Sequence, residues 1–206
     1  MKALLLDESI ELAEKAKIPF VKGFAVETEK ELLTAKVKYP VVLKAISPKI
    51  LHKTEFKAVR IGIKNKEEAV NKFRQLKKLP GCKKVLVQEM IKGTELIVGI
   101  KKDSVFGPTI LIGFGGIYTE LLKDFSLRIA PVSEQEVQEM LEELKLFKIL
   151  KGFRGSPKAN LKSVKNFILK VSKFSIDNPE IMEADFNPVI VNKEKAAAVD
   201  ARIVVE

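Results

Sequence analysis

The chain has no tryptophan, one cysteine, one histidine and two tyrosines among 206 residues. A single thiol, Cys82, excludes an intramolecular disulfide and any cysteine-based zinc site, and is consistent with the cytoplasm. No run of residues approaches the ~18 consecutive apolar positions that a membrane helix needs, and the apolar start Ala3-Leu6 stops at Asp7, too short for a signal-peptide core. What is abundant is positive charge: 37 Lys and Arg against 27 Asp and Glu, a formal +10. That excess would suit a phosphate backbone if it were clustered. It is instead spread along the chain and carried mainly by lysine. With few aromatic side chains, neither bidentate base reading nor a stacking platform is supplied. A lysine-rich surface around an anionic small-molecule site is the expectation, with no nucleic acid and no membrane as partner.

The length buries one substantial core, either as a single domain or as two lobes. Helical spacing marks Asp7 to Lys17, stopped by Pro19, and Lys22 to Val26 reads as extended. Thr28 and Glu31 have capping-box spacing ahead of a short helix, Glu29 to Lys36, which ends before Tyr39-Pro40. Strands follow at Val41-Ile46 and Phe56-Ile63, then a helix at Glu67-Lys78 capped by Asn65, then a strand at Lys84-Gln88. Beyond Thr94 glycines punctuate further strands: Leu96-Lys101, Thr109-Ile112, and a pair across Ile117-Lys123 and Leu127-Ala130. Ser133 and Glu136 form another capping box, opening a long helix whose Val137, Met140, Leu141, Leu144 and Phe147 make one apolar stripe. A basic loop, Gly152-Pro157, precedes a helix at Leu161-Phe174, and strands at Ile181-Val191 and Ala196-Val205 close the pattern. The expected organisation is a single module over 1–206, with an N-terminal helical segment (1–21), a small lobe (22–88) and a large lobe (89–206), hinged near Gln88-Lys92.

Five features carry chemistry. His52 lies between Lys49 and Lys53, where flanking cations lower an imidazole pKa and attract phosphate. Such a residue could carry a phosphoryl group or be a solvated loop histidine. Lys44 sits inside an apolar strand, where an ammonium needs an anion to face, unless the strand is at an edge and the side chain reaches water. Glu183, Asp185 and Asn187 alternate onto one strand face. If Val191 pairs with Ala196 across the following turn, Asn187 falls opposite Asp200 and Asp185 opposite Arg202. Two carboxylates and an amide oxygen suit a hard cation such as Mg2+, whereas an Asp185–Arg202 salt bridge would make the same hairpin a plain surface. The strand ending in Gln88, Glu89 and Met90 could offer backbone groups to an adenine edge, with Glu95 near enough in sequence for ribose hydroxyls. Gly113-Phe114-Gly115-Gly116 permits close approach of backbone to phosphate, although it lacks the lysine of a P-loop.

Taken in order, Val42-Leu43-Lys44-Ala45, Ser47 to Thr54, Val87-Gln88-Glu89-Met90, Glu95 to Gly99, Phe106-Gly107-Pro108, Gly113 to Ile117, Leu122 to Arg128, Gly152-Phe153-Arg154-Gly155, Asp185-Phe186-Asn187-Pro188 and Val199-Asp200-Ala201-Arg202 resemble the ATP-grasp (β) subunit of ADP-forming acetyl-CoA synthetases. The likeness runs nearly end to end. It implies an α/β (α+β) ATP-grasp fold of two lobes, each a sheet with packed helices, holding the nucleotide in the cleft between them. It implies a ligase that interconverts acyl-CoA, ADP and phosphate with acid, CoA and ATP. His52 would be the phosphohistidine relay, and Lys44, Gln88, Glu89, Met90 and Glu95 would bind nucleotide. Lys53, Gly115, Gly116 and Arg128 would bind phosphate, and Asp185, Asn187 and Asp200 would hold Mg2+. The implied partner is a CoA-binding α subunit in an α2β2 assembly. Where relatives usually have Gly-Gly-Val after the histidine motif, this chain has Lys57-Ala58-Val59. Alternatives are an ATP-grasp ligase forming an acyl phosphate directly, a succinyl-CoA synthetase-like β subunit, and a basic nucleic-acid-binding protein.

Overall fold

A computed structural model describes residues 1–50, 56–116, 124–153 and 157–206. His52 and Lys53, the expected strand at Ile117-Lys123, and Arg154-Gly155 lie outside these described residues. Contacts divide the chain into two units: Val21–Ile91, and Met1–Phe20 together with Lys92–Glu206. The N-terminal helical segment therefore belongs to the larger unit rather than standing apart.

In the smaller unit an antiparallel sheet has the order β2 (Gly23–Val26), β5 (Lys84–Glu89), β3 (Val41–Ile46), β4 (Val59–Ile63). Alternate residues Val41, Leu43 and Ala45 of β3 and Val85 and Val87 of β5 share a buried cluster with Leu32 of α2 (Glu29–Thr34) and Ala69, Phe73 and Leu76 of α3 (Lys66–Lys77). Both helices start where side-chain caps predict. Thr28 accepts from the Glu31 amide at 3.2 Å and Asn65 from the Glu68 amide at 2.9 Å. The strand expected from Phe56 begins only at Val59, because Lys57 takes a left-handed backbone (φ 47°) that breaks the extended run.

The larger unit is built on a seven-stranded antiparallel sheet, ordered β1 (Lys2–Ala3), β11 (Arg202–Val205), β9 (Ile181–Val191), β6 (Thr94–Asp103), β7 (Gly107–Phe114), β8 (Phe125–Ile129), with β10 (Ala196–Ala198) also on β9. One face carries Leu96, Val98, Ile100, Ile110, Ile112, Phe114, Ala184 and Phe186 into a core with α1 (Leu6–Lys15), α4 (Glu134–Glu143), α5 (Phe147–Leu150) and α6 (Leu161–Asp177). Phe167 of α6 meets Phe186 edge-on, with ring centroids 5.9 Å apart. No described helix is long and apolar enough to cross a membrane.

The single long helix expected from Ser133 is two. Its capping box forms as predicted, but Leu144 turns extended (φ −68°, ψ 124°). The physical reason lies in another strand's neighbour: the Asp124 carboxylate accepts the amides of Lys145 (2.8 Å) and Leu146 (3.0 Å), drawing both out of the helical ladder. The terminal strand expected over Ala196-Val205 is likewise interrupted, since Val199, Asp200 and Ala201 pass between β10 and β11 without continuing the ladder.

Candidate functional site

The acidic cluster depends on one turn. Asn192 accepts the amides of Glu194 (2.9 Å) and Lys195 (3.0 Å) on its side chain and donates its own N–H to the Lys195 carbonyl (3.0 Å), so the reversal after β9 is locked. Val191 then pairs with Ala196, as predicted, and Arg202 with Asp185. The Val199 amide donates to the Pro188 carbonyl at 3.1 Å, so the same register persists through the interruption and sets Asp200 opposite Asn187. These residues lie on the sheet face away from the helices, since Ala184 and Phe186, their alternates, are core.

Arg202 does not pair with Asp185, as the plain-surface alternative required. Its guanidinium donates to Glu183 at 3.1 Å. The Asp185 carboxyl is pushed above the ordinary carboxylate range, first by burial and next by the neighbouring Asp200 charge. A hydrogen bond from Asn187 and the more distant Arg202 charge only partly offset this, while Glu183 adds to it. Two crowded carboxylates beside an amide oxygen, all hard donors, fit a divalent cation such as Mg2+ better than a thiophilic metal. Gly99 is directly opposite Asp185 on β6, and a Cβ there would have nothing nearer than the Ala184 carbonyl oxygen at 3.6 Å. The space above the carboxylate is open on that side.

Glu95, at the start of β6, shares this outer face. The Gly115 amide donates to its carbonyl at 2.8 Å, and a Cβ on Gly116 would lie 3.3 Å from its Oε2. The residues assigned to ribose and to phosphate are therefore brought together. Arg128 is not with them. It pairs across β7 with core residue Ile110, and its guanidinium forks onto Glu143 of α4, with Ser126 alongside. Glu143 is held well below the usual range by Arg128 and then Ser126, and the Arg128 pKa is raised chiefly by the same pairing. Arg128, expected at phosphate, has its guanidinium on the helix side of the sheet, paired with Glu143.

In the smaller unit Lys44 is 4% exposed and already engaged. Its strand lies between β5 and β4, so the edge-strand alternative does not hold. Gln88, buried, donates its side-chain amide to the Val21 carbonyl at 3.2 Å. The backbone amides of Glu89 and Met90 go to Lys22 and Pro40 carbonyls, at 2.9 and 3.4 Å. Those two N–H groups are consumed within the unit, which limits what this segment can offer a base edge.

Glu143 was not singled out in the sequence, and Asp124 and Ser126, though inside the Leu122–Arg128 motif, were given no role. The available signal was alternation in Phe125-Ser126-Leu127-Arg128-Ile129, where the apolar residues are exposed and the polar ones turn inward.

A family model described as an ATP-grasp domain matches residues 1–205. The ADP-forming acetate–CoA ligase I subunit β of Pyrococcus furiosus is 36% identical over 213 residues, covering 98% of this chain and 92% of that subunit. The ADP-forming acetate–CoA ligase I of Archaeoglobus fulgidus is 43% identical over 173 residues, which is 81% of this chain but 25% of that protein. The chain thus spans nearly all of one curated relative and about a quarter of another. Among solved structures, dinucleotide-forming acetyl-coenzyme A synthetase 1 of Ca. Korarchaeum cryptofilum, in complex with coenzyme A, Ca-AMPCP and HgCl+, superposes with a TM-score of 0.94 at 34% identity, covering 100% of this chain and 94% of that one. Another structure of that protein, with coenzyme A and Mg-AMPPCP, has its phosphohistidine segment pointing towards the nucleotide binding site; it gives 0.88 at 33% identity, covering 100% and 93%.

Proposed function

The chain belongs to the ATP-grasp family and, within it, to the group of ADP-forming acetate–CoA ligase β subunits, and from that premise we propose that it is the nucleotide-binding part of an ADP-forming acid–CoA ligase. The observation that carries the proposal is the outer face of the larger unit. There Asp185, Asn187 and Asp200 sit in register, and Glu95 lies against Gly115 and Gly116. That combination suits a nucleoside diphosphate bound with a divalent cation.

Asp185, Asn187 and Asp200 would hold Mg2+, which neutralises phosphate charge when bound. Glu95 accepts hydrogen bonds from ribose hydroxyls, and the glycine backbone at Gly115 and Gly116 lets phosphate oxygens approach. Within the smaller unit, taken by itself, Lys44 and Gln88–Met90 are the residues that the family resemblance assigns to phosphate and base. His52, in its neutral form, attacks a phosphoryl group presented by a CoA-binding partner, forming an N–P bond as the bond to the donor breaks. The terminal phosphate oxygen of ADP then takes the phosphoryl group, the N–P bond breaks and ATP leaves. Lys49 and Lys53, near His52 in sequence, add positive charge that attracts phosphate. The overall change is acyl-CoA, ADP and phosphate to acid, CoA and ATP, in a hetero-oligomer of two chain types, α2β2, in the cytoplasm.

Purified chain should bind Mg2+ with ADP in calorimetry and yet be inactive with acetyl-CoA, ADP, phosphate and Mg2+. Activity should appear when a CoA-binding partner is added. Robust turnover by the isolated chain would overturn the division of labour, and a chain that binds no ADP would overturn the reading as a whole.

A further inference from the structure

Asp124 is a buried acid with no role in the scheme above. It is 6% exposed, and both carboxylate oxygens are satisfied by main-chain donors 21 and 22 residues further along, Lys145 N at 2.8 Å and Leu146 N at 3.0 Å. Ordinary helix caps come from the preceding few residues, whereas this one reaches across from the start of β8 to the junction of α4 and α5. Its own carbonyl turns the other way. It accepts the Phe114 amide at 3.3 Å, and it lies so close to Gly113 that a Cβ there would be 2.8 Å from the oxygen. Two residues on, Gly115 donates to the Glu95 carbonyl and Gly116 borders the Glu95 carboxylate. A continuous run of short contacts therefore joins the helix junction, Asp124, Gly113–Gly116 and Glu95. Further along the strand, Arg128, Ser126 and Glu143 tie β8 to α4 independently.

We propose that Asp124 is a positioning residue for nucleotide binding: its carboxylate fixes the strand end against the α4–α5 junction, and its carbonyl thereby sets where Gly113–Gly116 stand beside Glu95. The proposal rests on the functional reading above. A carboxylate is needed because two amides must be accepted at once in a site closed to water, and each amide left unpaired there would pull the segment toward another partner. Glu143 holds the same strand without touching the glycine segment, which makes it the control for a purely structural contribution.

The test uses the wild-type chain and the variants Asp124→Ala, Asp124→Asn and Glu143→Gln. Each is measured for ADP affinity with Mg2+ by calorimetry, for thermal unfolding, and, with the CoA-binding partner, for KM and kcat. Asp124→Ala should raise the ADP Kd and KM by about tenfold while kcat at saturation changes by less than about threefold, since misplacing a binding segment weakens affinity before it alters the transferring atoms. Asp124→Asn keeps the volume and one acceptor, so a smaller rise of about threefold is expected in a fully folded protein. Glu143→Gln should lower the unfolding temperature and leave the ADP Kd unchanged. Wild-type binding retained by both Asp124 variants would overturn this assignment alone. A wild-type chain that fails to bind ADP would overturn it together with the functional reading.

Discussion

Replacing Asp185 with asparagine should stabilise the metal-free protein and weaken its response to Mg2+ and ADP. In the register of the terminal strands Asp185 and Asp200 are diagonal neighbours, with Arg202 and Asn187 directly opposite each. Side-chain origins at such positions are ~7 Å apart. Two unit charges at that distance repel by about 2 kcal/mol at an effective dielectric of ~20, and by about 1 kcal/mol once screening by water at these partly exposed positions is allowed for. For a chain of this size that is an unfolding-temperature gain of about 2–4 °C. Asparagine keeps an oxygen for the Asn187 amide, so little else is lost. Adding Mg2+ and ADP at about a hundred times Kd should stabilise the wild type by about 2.7 kcal/mol, and the variant by much less, so the order of stabilities inverts. The sign with pH follows from the raised pKa. The native state holds this proton more tightly than the unfolded chain, so metal-free stability declines as pH rises from the unfolded value through the native one, and Asp185→Asn removes that decline. Protons and Mg2+ compete for the same carboxylate, so cation affinity falls on acidification sooner than an ordinary aspartate would cause. Differential scanning calorimetry in EDTA and in Mg2+ with ADP, across the acid limb, reads all of this. A variant that melts below wild type in EDTA, or that keeps the full wild-type shift with Mg2+ and ADP, would refute the reasoning.

His52→Asn should abolish ATP formation in the complete enzyme while leaving the ADP Kd within about twofold; undiminished synthesis would sink the relay. Lys57→Gly should be neutral or stabilising, unlike most exchanges to glycine, because Lys57 holds a left-handed backbone (φ 47°) that costs an L-residue about 1 kcal/mol; a clear drop in unfolding temperature would count against backbone strain there. Gly99→Val should fold normally, since a Cβ meets nothing closer than 3.6 Å, but should weaken binding of ADP with Mg2+ by at least about tenfold by filling the space opposite Asp185; unchanged calorimetric affinity would show that the ligand does not use that space.

Most elements were readable because their signals are local. Thr28, Asn65 and Ser133 announce helix starts through caps that the structure forms. The pairing of Asn187 with Asp200 was readable from a single assumption about one turn, which Asn192 enforces with its own side chain. What was not readable depends on contacts distant in sequence. The break at Leu144 has no proline or glycine to mark it, and arises from a carboxylate 21 residues earlier. Arg128 was assigned to phosphate only through the family resemblance, and its pairing with Ile110, which puts it on the helix side beside Glu143, had no local signal. The strand expected from Phe56 failed likewise, because nothing in the residue types there announces the left-handed backbone of Lys57 (φ 47°).

The alternation on β8 sorts its side chains between the two faces of the larger unit's sheet, with the apolar ones exposed and the polar ones turned to the helices. Arg128 and Ser126 point inward to Glu143, and the Asp124 carboxylate accepts the Lys145 and Leu146 amides, so among the described residues these polar groups are engaged on the helix side. The charges left on the outer face of the larger unit's sheet are then dominated at one end by Asp185 and Asp200, with Glu95 beyond them. An anionic ligand would be repelled from such a face on its own. Under the proposed function a divalent cation reverses that sign locally, and cation and nucleoside diphosphate would bind there cooperatively, each raising the affinity of the other by the same factor. Under the proposed function, a divalent cation at Asp185 and Asp200 relieves the burial and crowding that raise the Asp185 pKa, so metal-free and metal-bound stabilities should respond to the same substitution in opposite directions.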